Sequence, residues 1–530
     1  MSSVTPEQVS ESSPAQRPRT SWLFAASSLR RLVQAAFLIG TLVLFVRMRF
    51  PFSPTPDPDL YLRCSPLGPL WALLTGSVPV GVFWGGLVVC FFTLFFGRFF
   101  CGWVCPLGTC IDVTDAAVAP RSPSTAQPTM QHTRYVILLG GLVATFFSVN
   151  VLWYFDPLSL FTRLTTVILF PCMTWLVSLV LKTLAIIPGV ASIDWYWRRY
   201  VFIEGQASHL QTGALFLVCA GLFLLARSYR RGWCRFVCPA GAFLGLLSRL
   251  LPLGRSVTEE CIHCDRCSRE CRMGAIPTGK VALTHPDHCI QCLECGVLCP
   301  VPGSAIRFGV RPRLHPPLDL GRRELMQGVL AGITATGLHR LDAEQPARHH
   351  PLLRPPGAVP EADFLQRCLR CLACVRVCHT NGGCLQPADG SSRLLDRWTP
   401  VAVMRLGYCE HNCNLCGQVC PTGAILPLSL KDKQENAMGL AVFDRNVCIP
   451  HARAEDCLVC EEHCPIGDKA IRFDQREVRA PDGSTRLVKL PYVVKDKCIG
   501  CGICEAKCPL KGNPGIFVTP ENADRPRHSI

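Results

Sequence analysis

The chain has 530 residues, 34 cysteines and a formal net charge of +15 at pH 7. With 49% hydrophobic residues and a mean hydropathy of +0.26, it is too apolar and too cysteine-rich for one ordinary soluble domain. The positive charge does not point to nucleic acid: arginines cluster beside apolar runs, where the positive-inside rule places them, and no basic stripe interleaved with aromatics occurs. A membrane part joined to cysteine-rich domains fits better, so the expected class is multi-domain: an α-helical transmembrane domain plus α+β cysteine-rich domains.

Residues 1–21 are polar and rich in Pro and Ser, which argues against a secretion signal, and 1–29 are expected to be a disordered tail. Residues 30–256 are expected to form the transmembrane domain. Arg30 and Arg31 precede an apolar run from Leu32 to Val46, closed by Arg47 and Arg49. A second run, Val78 to Phe96, ends in Arg98 and FFCGWVCPLGTC, a C-x3-C-P motif at Cys101 and Cys105. Runs from Tyr135 to Phe155, Leu164 to Ile187 and Leu210 to Ala226 follow. The last ends in RSYRRGWCRFVCPAG, a second C-x3-C-P at Cys234 and Cys238. Arg227, Arg230, Arg231 and Arg235 mark that end as cytoplasmic. Five full spans would put the two motifs on opposite faces. Pro171 interrupts Leu164 to Ile187, so that run reads as a re-entrant or interfacial segment, leaving four spans and both motifs inside.

Residues 257–310 read CIHCDRCSREC, a spacer, then CIQCLECGVLCP. Each half is C-x2-C-x2-C-x3-C, in which three thiolates on a tight loop hold one cubane and the fourth reaches a neighbouring one. By that crossed ligation, Cys261, Cys264 and Cys267 would share a [4Fe–4S] cluster with Cys299, and Cys289, Cys292 and Cys295 one with Cys271. Zinc ribbons use two separated C-x2-C pairs, and a disulfide framework belongs to secreted chains; three crowded cysteines followed by Pro300 favour iron–sulfur.

Residues 318–340 carry Arg322 and Arg323 ahead of a Gly-punctuated apolar run, a twin-arginine-like segment with no cleavage site after it. It reads as a retained tether, with a cytoplasmic linker helix as the alternative. A Pro-rich linker, 341–362, opens a four-cluster domain at 363–520, followed by a tail at 521–530. The domain's sets are Cys368, Cys371, Cys374, Cys378; Cys409, Cys413, Cys416, Cys420; Cys448, Cys457, Cys460, Cys464; and Cys498, Cys501, Cys504, Cys508. Whether the sets pair as neighbours or nested, spacing does not say. In all, 24 motif cysteines imply six [4Fe–4S] clusters, so the cysteine-rich domains are expected to be α+β bacterial-ferredoxin-like polyferredoxin domains. Cys101, Cys105, Cys234 and Cys238 would supply a seventh; the rival readings are a redox-active dithiol pair and cysteines that pack where helices meet. Cys64, Cys90, Cys110, Cys172, Cys219 and Cys384 fit no motif.

CGWVCPLG, GWCRFVCPAG and the two ferredoxin motifs resemble the NapH-type membrane ferredoxins, a group that overlaps the NosR-type regulators. The twin Arg322-Arg323, RPPGA at 354–358, MGLAVFD at 438–444 and the four later sets resemble the NapG/MauM-type four-cluster periplasmic ferredoxins. The chain thus looks like a fusion of both. Arg272 and His379 depart from the pattern, standing where these families often have Pro. The resemblance implies a quinol dehydrogenase subunit of an anaerobic respiratory chain. It would sit in the bacterial inner membrane, its two-cluster domain cytoplasmic and its four-cluster domain periplasmic. It would draw on the membrane lipid and quinone pool, with quinol as diffusible substrate, and pass electrons to a periplasmic cytochrome or reductase. No nucleic-acid partner is expected. Asp156, Arg163, Glu204 and His209 are candidate quinol or proton contacts, against the plainer reading of interfacial residues. Two rival functions are an electron-donating maturation factor for a metalloenzyme, as in NosR-type proteins, and a polyferredoxin facing the cytoplasm throughout.

Overall fold

The structure is a computed structural model that describes residues 21–50, 57–118, 128–184, 192, 197, 211–250, 253–301, 305–310, 320–343, 352–389, 393–479 and 483–525. Glu204 and His209 lie outside the described residues, as do most of the expected tails.

A layer of helices occupies the middle. Its elements include Ser21–Arg47, Val80–Phe96, Pro128–Phe146, Pro157–Thr183 and Thr212–Ser228. Trp71, Phe83 and Trp153 form its aromatic heart, with Trp71 lying 6.0 Å from Phe83 and 5.6 Å from Trp153 between ring centres. Among the described residues, two helices are long and apolar enough to cross a membrane, Ala26–Arg47 and Pro157–Thr183.

The second of these covers Leu164 to Thr183 of the run expected to be re-entrant or interfacial, and over those residues it is continuous. Its turn at Thr165–Leu169 is a π-helix directly before Pro171. Proline lacks the N–H for an i−4 bond and its ring crowds the carbonyl one turn back, so a widened turn lets the helix pass through it. The run from Tyr135 to Phe155 breaks instead. Its helix stops at Phe146, and Asp156 caps the next helix by accepting from the Ser159 N–H at 2.8 Å.

The twin-arginine-like segment is a helix, Arg322–Ala343, laid along Pro128–Phe146. Glycine makes that fit possible. A Cβ on Gly332 would lie 2.7 Å from the Gly140 carbonyl oxygen, and one on Gly140 3.1 Å from that of Gly328. Near one end of the seam His132 lies 3.9 Å from Glu324, and past the other the Leu394 N–H donates to Asp342 at 2.7 Å. The helix's 22 residues reach about 33 Å at 1.5 Å per residue.

The cysteine-rich parts sit at opposite ends of this layer. At one end, antiparallel β1 (Leu253–Val257) and β2 (Ile306–Val310) close the loops bearing Cys261 to Cys299. At the other, β3 (Leu385–Pro387) pairs with β4 (Pro400–Ala402), β5 (Leu440–Phe443) with β8 (Ile516–Thr519), and β6 (Ile471–Arg479) with β7 (Thr485–Val493). Residues 353–359, expected in the linker, are buried in this domain, and Arg354 donates to the Pro400 carbonyl at 2.8 Å.

Candidate iron–sulfur sites

Four loops share one backbone signature. In each C-x2-C-x2-C stretch the residues before and after the middle cysteine are left-handed: His263 and Asp265, Gln291 and Leu293, Arg370 and Leu372, Gly500 and Gly502. A non-glycine residue there costs about 1–2 kcal/mol, so six such residues mark loops whose shape is imposed by what they wrap. The winding turns three sulfurs to one side. The sets beginning at Cys409 and Cys448 have longer first gaps and lack the signature.

The structure chooses between the pairings that spacing leaves open. Cys374 lies within electrostatic reach of Cys371, Cys368 and Cys420, and Cys416 of Cys409, Cys413 and Cys378. Cys460 lies near Cys457, Cys448 and Cys508, while Cys464 lines one cavity with Cys498, Cys501 and Cys504. Sets therefore pair as neighbours, each lending its fourth cysteine to the other. The two pairs also touch, because the Cys409 N–H donates to the Cys501 carbonyl at 2.8 Å. At the other end, Cys271 lies near Cys289, Cys292 and Cys295, and Cys267 near Cys261 and Cys264. Cys299 closes its loop with Sγ 3.4 Å from the Val301 carbonyl.

The two C-x3-C-P motifs meet. Cys238 lies near Cys234, Cys101 and Cys105. Each motif repeats one plan, a short helix (Phe99–Trp103, Gly232–Phe236) and then a helix opened by proline (Pro106–Val118, Pro239–Ser248). A fully buried arginine precedes each and reaches to the other motif. Arg231 donates to the Cys101 carbonyl at 2.8 Å and to the Gly108 carbonyl at 3.4 Å. Arg98 Nη2 fills the space of a side chain on Gly241, 2.6 Å from where its Cβ would be, with Cys238 Sγ 3.6 Å from the same point. In the sequence Arg98 and Arg231 read only as charges at span ends, and their reach to the opposite motif is signalled there only by an Arg three residues ahead of each first cysteine.

This junction fits an iron–sulfur cluster better than either rival. Burial pushes the thiols of Cys105, Cys234 and Cys238 up, Cys234 to about 11, whereas a reactive dithiol needs a lowered value. Among the described residues the buried Arg98 Nε and Nη2 have no hydrogen-bond partner, and an anionic thiolate–sulfide group beside them would accept those donors. Among the described residues no three His, Cys, Asp or Glu converge on one metal ion. A cubane does not need that, since each iron takes one thiolate.

Both ends are docked through the cysteine loops. Trp103 Nε1 donates to the Gln291 carbonyl at 3.0 Å, and a Cβ on Gly102 would sit 2.4 Å from the Ile290 carbonyl oxygen. Arg272, one departure from Pro, pairs with Glu294 at 2.7 Å and Asp112 at 3.3 Å, tying the loops to Pro106–Val118. His379, the other, joins its Nε2 to the Leu385 carbonyl at 2.8 Å. At the far end Asn150 Nδ2 donates to the Gln366 carbonyl at 2.6 Å, and Arg163 to those of Arg370 at 3.0 Å and Trp153 at 3.2 Å. Asp156 accepts from Ser65 at 2.6 Å besides capping its helix. Asp156 and Arg163 are thus buried and committed to structural bonds.

A 4Fe-4S binding domain matches residues 78–118 and 210–257, the segments that carry the C-x3-C-P motifs, and a second matches 491–511. Methylamine utilization ferredoxin-type protein MauM of Methylorubrum extorquens is 34% identical over 213 residues, which are 38% of this chain and 91% of MauM. Ferredoxin-type protein NapG of Escherichia coli is 35% identical over 206 residues, 38% of this chain and 86% of NapG. The chain belongs to this MauM and NapG family of ferredoxin-type proteins. MauN of Methylorubrum extorquens, also a ferredoxin-type protein, is 30% identical over 265 residues, 46% of this chain and 74% of MauN. No solved structure matches. A MauM/NapG ferredoxin-type chain with 4Fe-4S domains is an iron–sulfur electron-transfer protein, and the neighbour-paired cysteines suit that role.

Proposed function

We propose that the protein is a membrane-embedded relay that oxidises quinol and passes electrons through [4Fe–4S] clusters to a periplasmic redox partner. The observation that carries this reading is the placement of cysteine-lined sites at both ends of one helical layer, joined by a helix as long as a bilayer core is thick. The layer's outward side chains support it: Phe91, Trp175 and Leu217 are large, apolar and more than half exposed, as lipid-facing residues are. The MauN match covers 46% of the chain, more than the residues after Arg322 supply, so family likeness extends into the helical half.

Bound clusters would supply one-electron transfer, and the protein sets their spacing and surroundings. Cys261 to Cys299 would hold two at the cytoplasmic end. Cys101, Cys105, Cys234 and Cys238 would hold another at the junction, with Arg98 and Arg231 offsetting its charge. The later sets would hold four, strung from Cys368 beside the helices, through the Cys409–Cys501 contact, to Cys448 and Cys508.

The test is an anaerobic addition of reduced quinol analogue to purified protein, following the broad iron–sulfur absorbance and measuring iron on the same sample. Bleaching is expected, with iron near about 28 rather than about 24 per chain if the junction is loaded. Full iron without bleaching would rule out quinol as donor. A reporter after Ile530 is expected to read as periplasmic; a cytoplasmic signal from cluster-loaded protein would reject export.

A further inference from the structure

The second site of the four-set domain has one cysteine too many. Cys378, Cys409, Cys413 and Cys416, the four thiols that neighbour pairing assigns to it, line one cavity, and Cys384 lines it with them. Cys384 is 2% exposed, and its Sγ lies 3.9 Å from that of Cys378.

The loop between the two cysteines is built to bring Cys384 back. The N–H groups of Asn381 and Gly383 both donate to the Cys378 carbonyl, at 3.1 and 3.0 Å, folding the chain over the end of its helix. Gly383 is left-handed at φ +76°, and Gly382 is pressed so closely on the Tyr408 carbonyl that a Cβ would sit 2.1 Å from the oxygen. Tyr408 precedes Cys409, so the same contact sets Cys384 beside the loop that carries the other ligands. The remaining cysteines outside motifs occupy the helical layer or its ends; Cys384 alone of them lines this cavity.

We infer that Cys384 is a fifth thiol ligand of this site, interchangeable with Cys378, so that a cluster here keeps four protein ligands when either is lost. The inference rests on the reading that the cavity holds a cubane. The exchange needs no oxidant or reductant: the Cys384 Sγ–Fe bond forms as the Cys378 Sγ–Fe bond breaks, and the thiol proton of Cys384 passes to Cys378. The other three positions have no such substitute.

Iron per chain and the electron paramagnetic resonance spectrum of the reduced full-length protein test this in four variants. Cys378→Ala and Cys384→Ala are each expected to keep wild-type iron, Cys378→Ala with an altered signal from one cluster. Cys416→Ala, and the double variant lacking Cys378 and Cys384, are each expected to lose about four irons. Loss of four or more irons from either Cys378→Ala or Cys384→Ala alone overturns the interchange, while the loss from Cys416→Ala still upholds the cubane. Wild-type iron in both Cys416→Ala and the double variant overturns the cubane reading and the inference together.

Discussion

The two ends of the helical layer are fastened by different physics. At the C-x3-C-P end, buried charges are matched: Arg231 with Asp112 at 2.7 Å, Arg30 with Glu294 at 2.8 Å, and Arg134 and Arg249 with Asp287 at 3.4 and 3.2 Å. At the four-set end the arginines act as flat plates and carbonyl donors. Arg376 lies 3.9 Å above Phe170, Arg163 4.3 Å above Trp398 and Arg370 4.7 Å above Tyr154, and no ion pair among the described residues joins them to a carboxylate. The first end therefore depends on which groups are charged. The second depends on shape and desolvation.

The largest break should come from Asp112→Ala. It strands the fully buried Arg231 and releases Arg272, a cost of about 3–5 kcal/mol for an uncompensated buried charge. Limited proteolysis should then cut between the helical layer and residues 257–310 while leaving the four-set domain attached. Next comes the seam. Gly332→Leu drives a side chain into Val143 and the Gly140 carbonyl, and should cost about 1–3 kcal/mol, read as a lower unfolding temperature and faster amide exchange in Arg322–Ala343. Arg376→Ala removes a stacked guanidinium at about 2 kcal/mol and should loosen only the four-set end. Equal loosening of both ends would refute the division drawn here.

The smallest effect is a pH dependence of the first end. Burial pushes the Asp115 carboxyl up to about 6, against the hydrogen bond from the Arg231 N–H and with the Asp112 charge adding to the rise. A carboxyl raised on folding stabilises fully below its unfolded value of 3.8, and that contribution fades as pH climbs through about 6. Asp112 runs the other way. Burial raises it, but Arg231 and Arg272 outweigh burial and hold it well below the usual carboxylate range, so its contribution is full above 3.8 and fades in acid. Asp115→Asn should remove the Asp115 loss between pH 4 and 6, leaving the opposite pull of His288, which burial holds down to about 3 and which makes attachment of residues 257–310 firmer as pH rises.

What could be read from the sequence was local. Three cysteines within seven residues declare a ligand loop because spacing alone puts them on one turn, and the C-x3-C-P motifs were visible for the same reason. The neighbour pairing of the later sets was not, since it depends on how loops far apart in sequence stack. Arg98 and Arg231 were hidden because each serves the other's motif. Asp156 and Arg163 looked like span-end residues facing water; burial turns them into a cap and a strut. Pro171 misled because proline usually breaks a helix, and only the π turn ahead of it restores the path.

The Arg322–Ala343 helix has one more consequence. Because it is covalently continuous with both cysteine-rich parts, they are synthesised in a fixed one-to-one ratio. Neither has to find the other by diffusion. Separate subunits would have to meet at the concentrations in which each is made, whereas a linked pair meets at an effective concentration of order millimolar. The contacts at the far end, carbonyl bonds and ring stacking, can therefore be individually weak and still be formed nearly all the time.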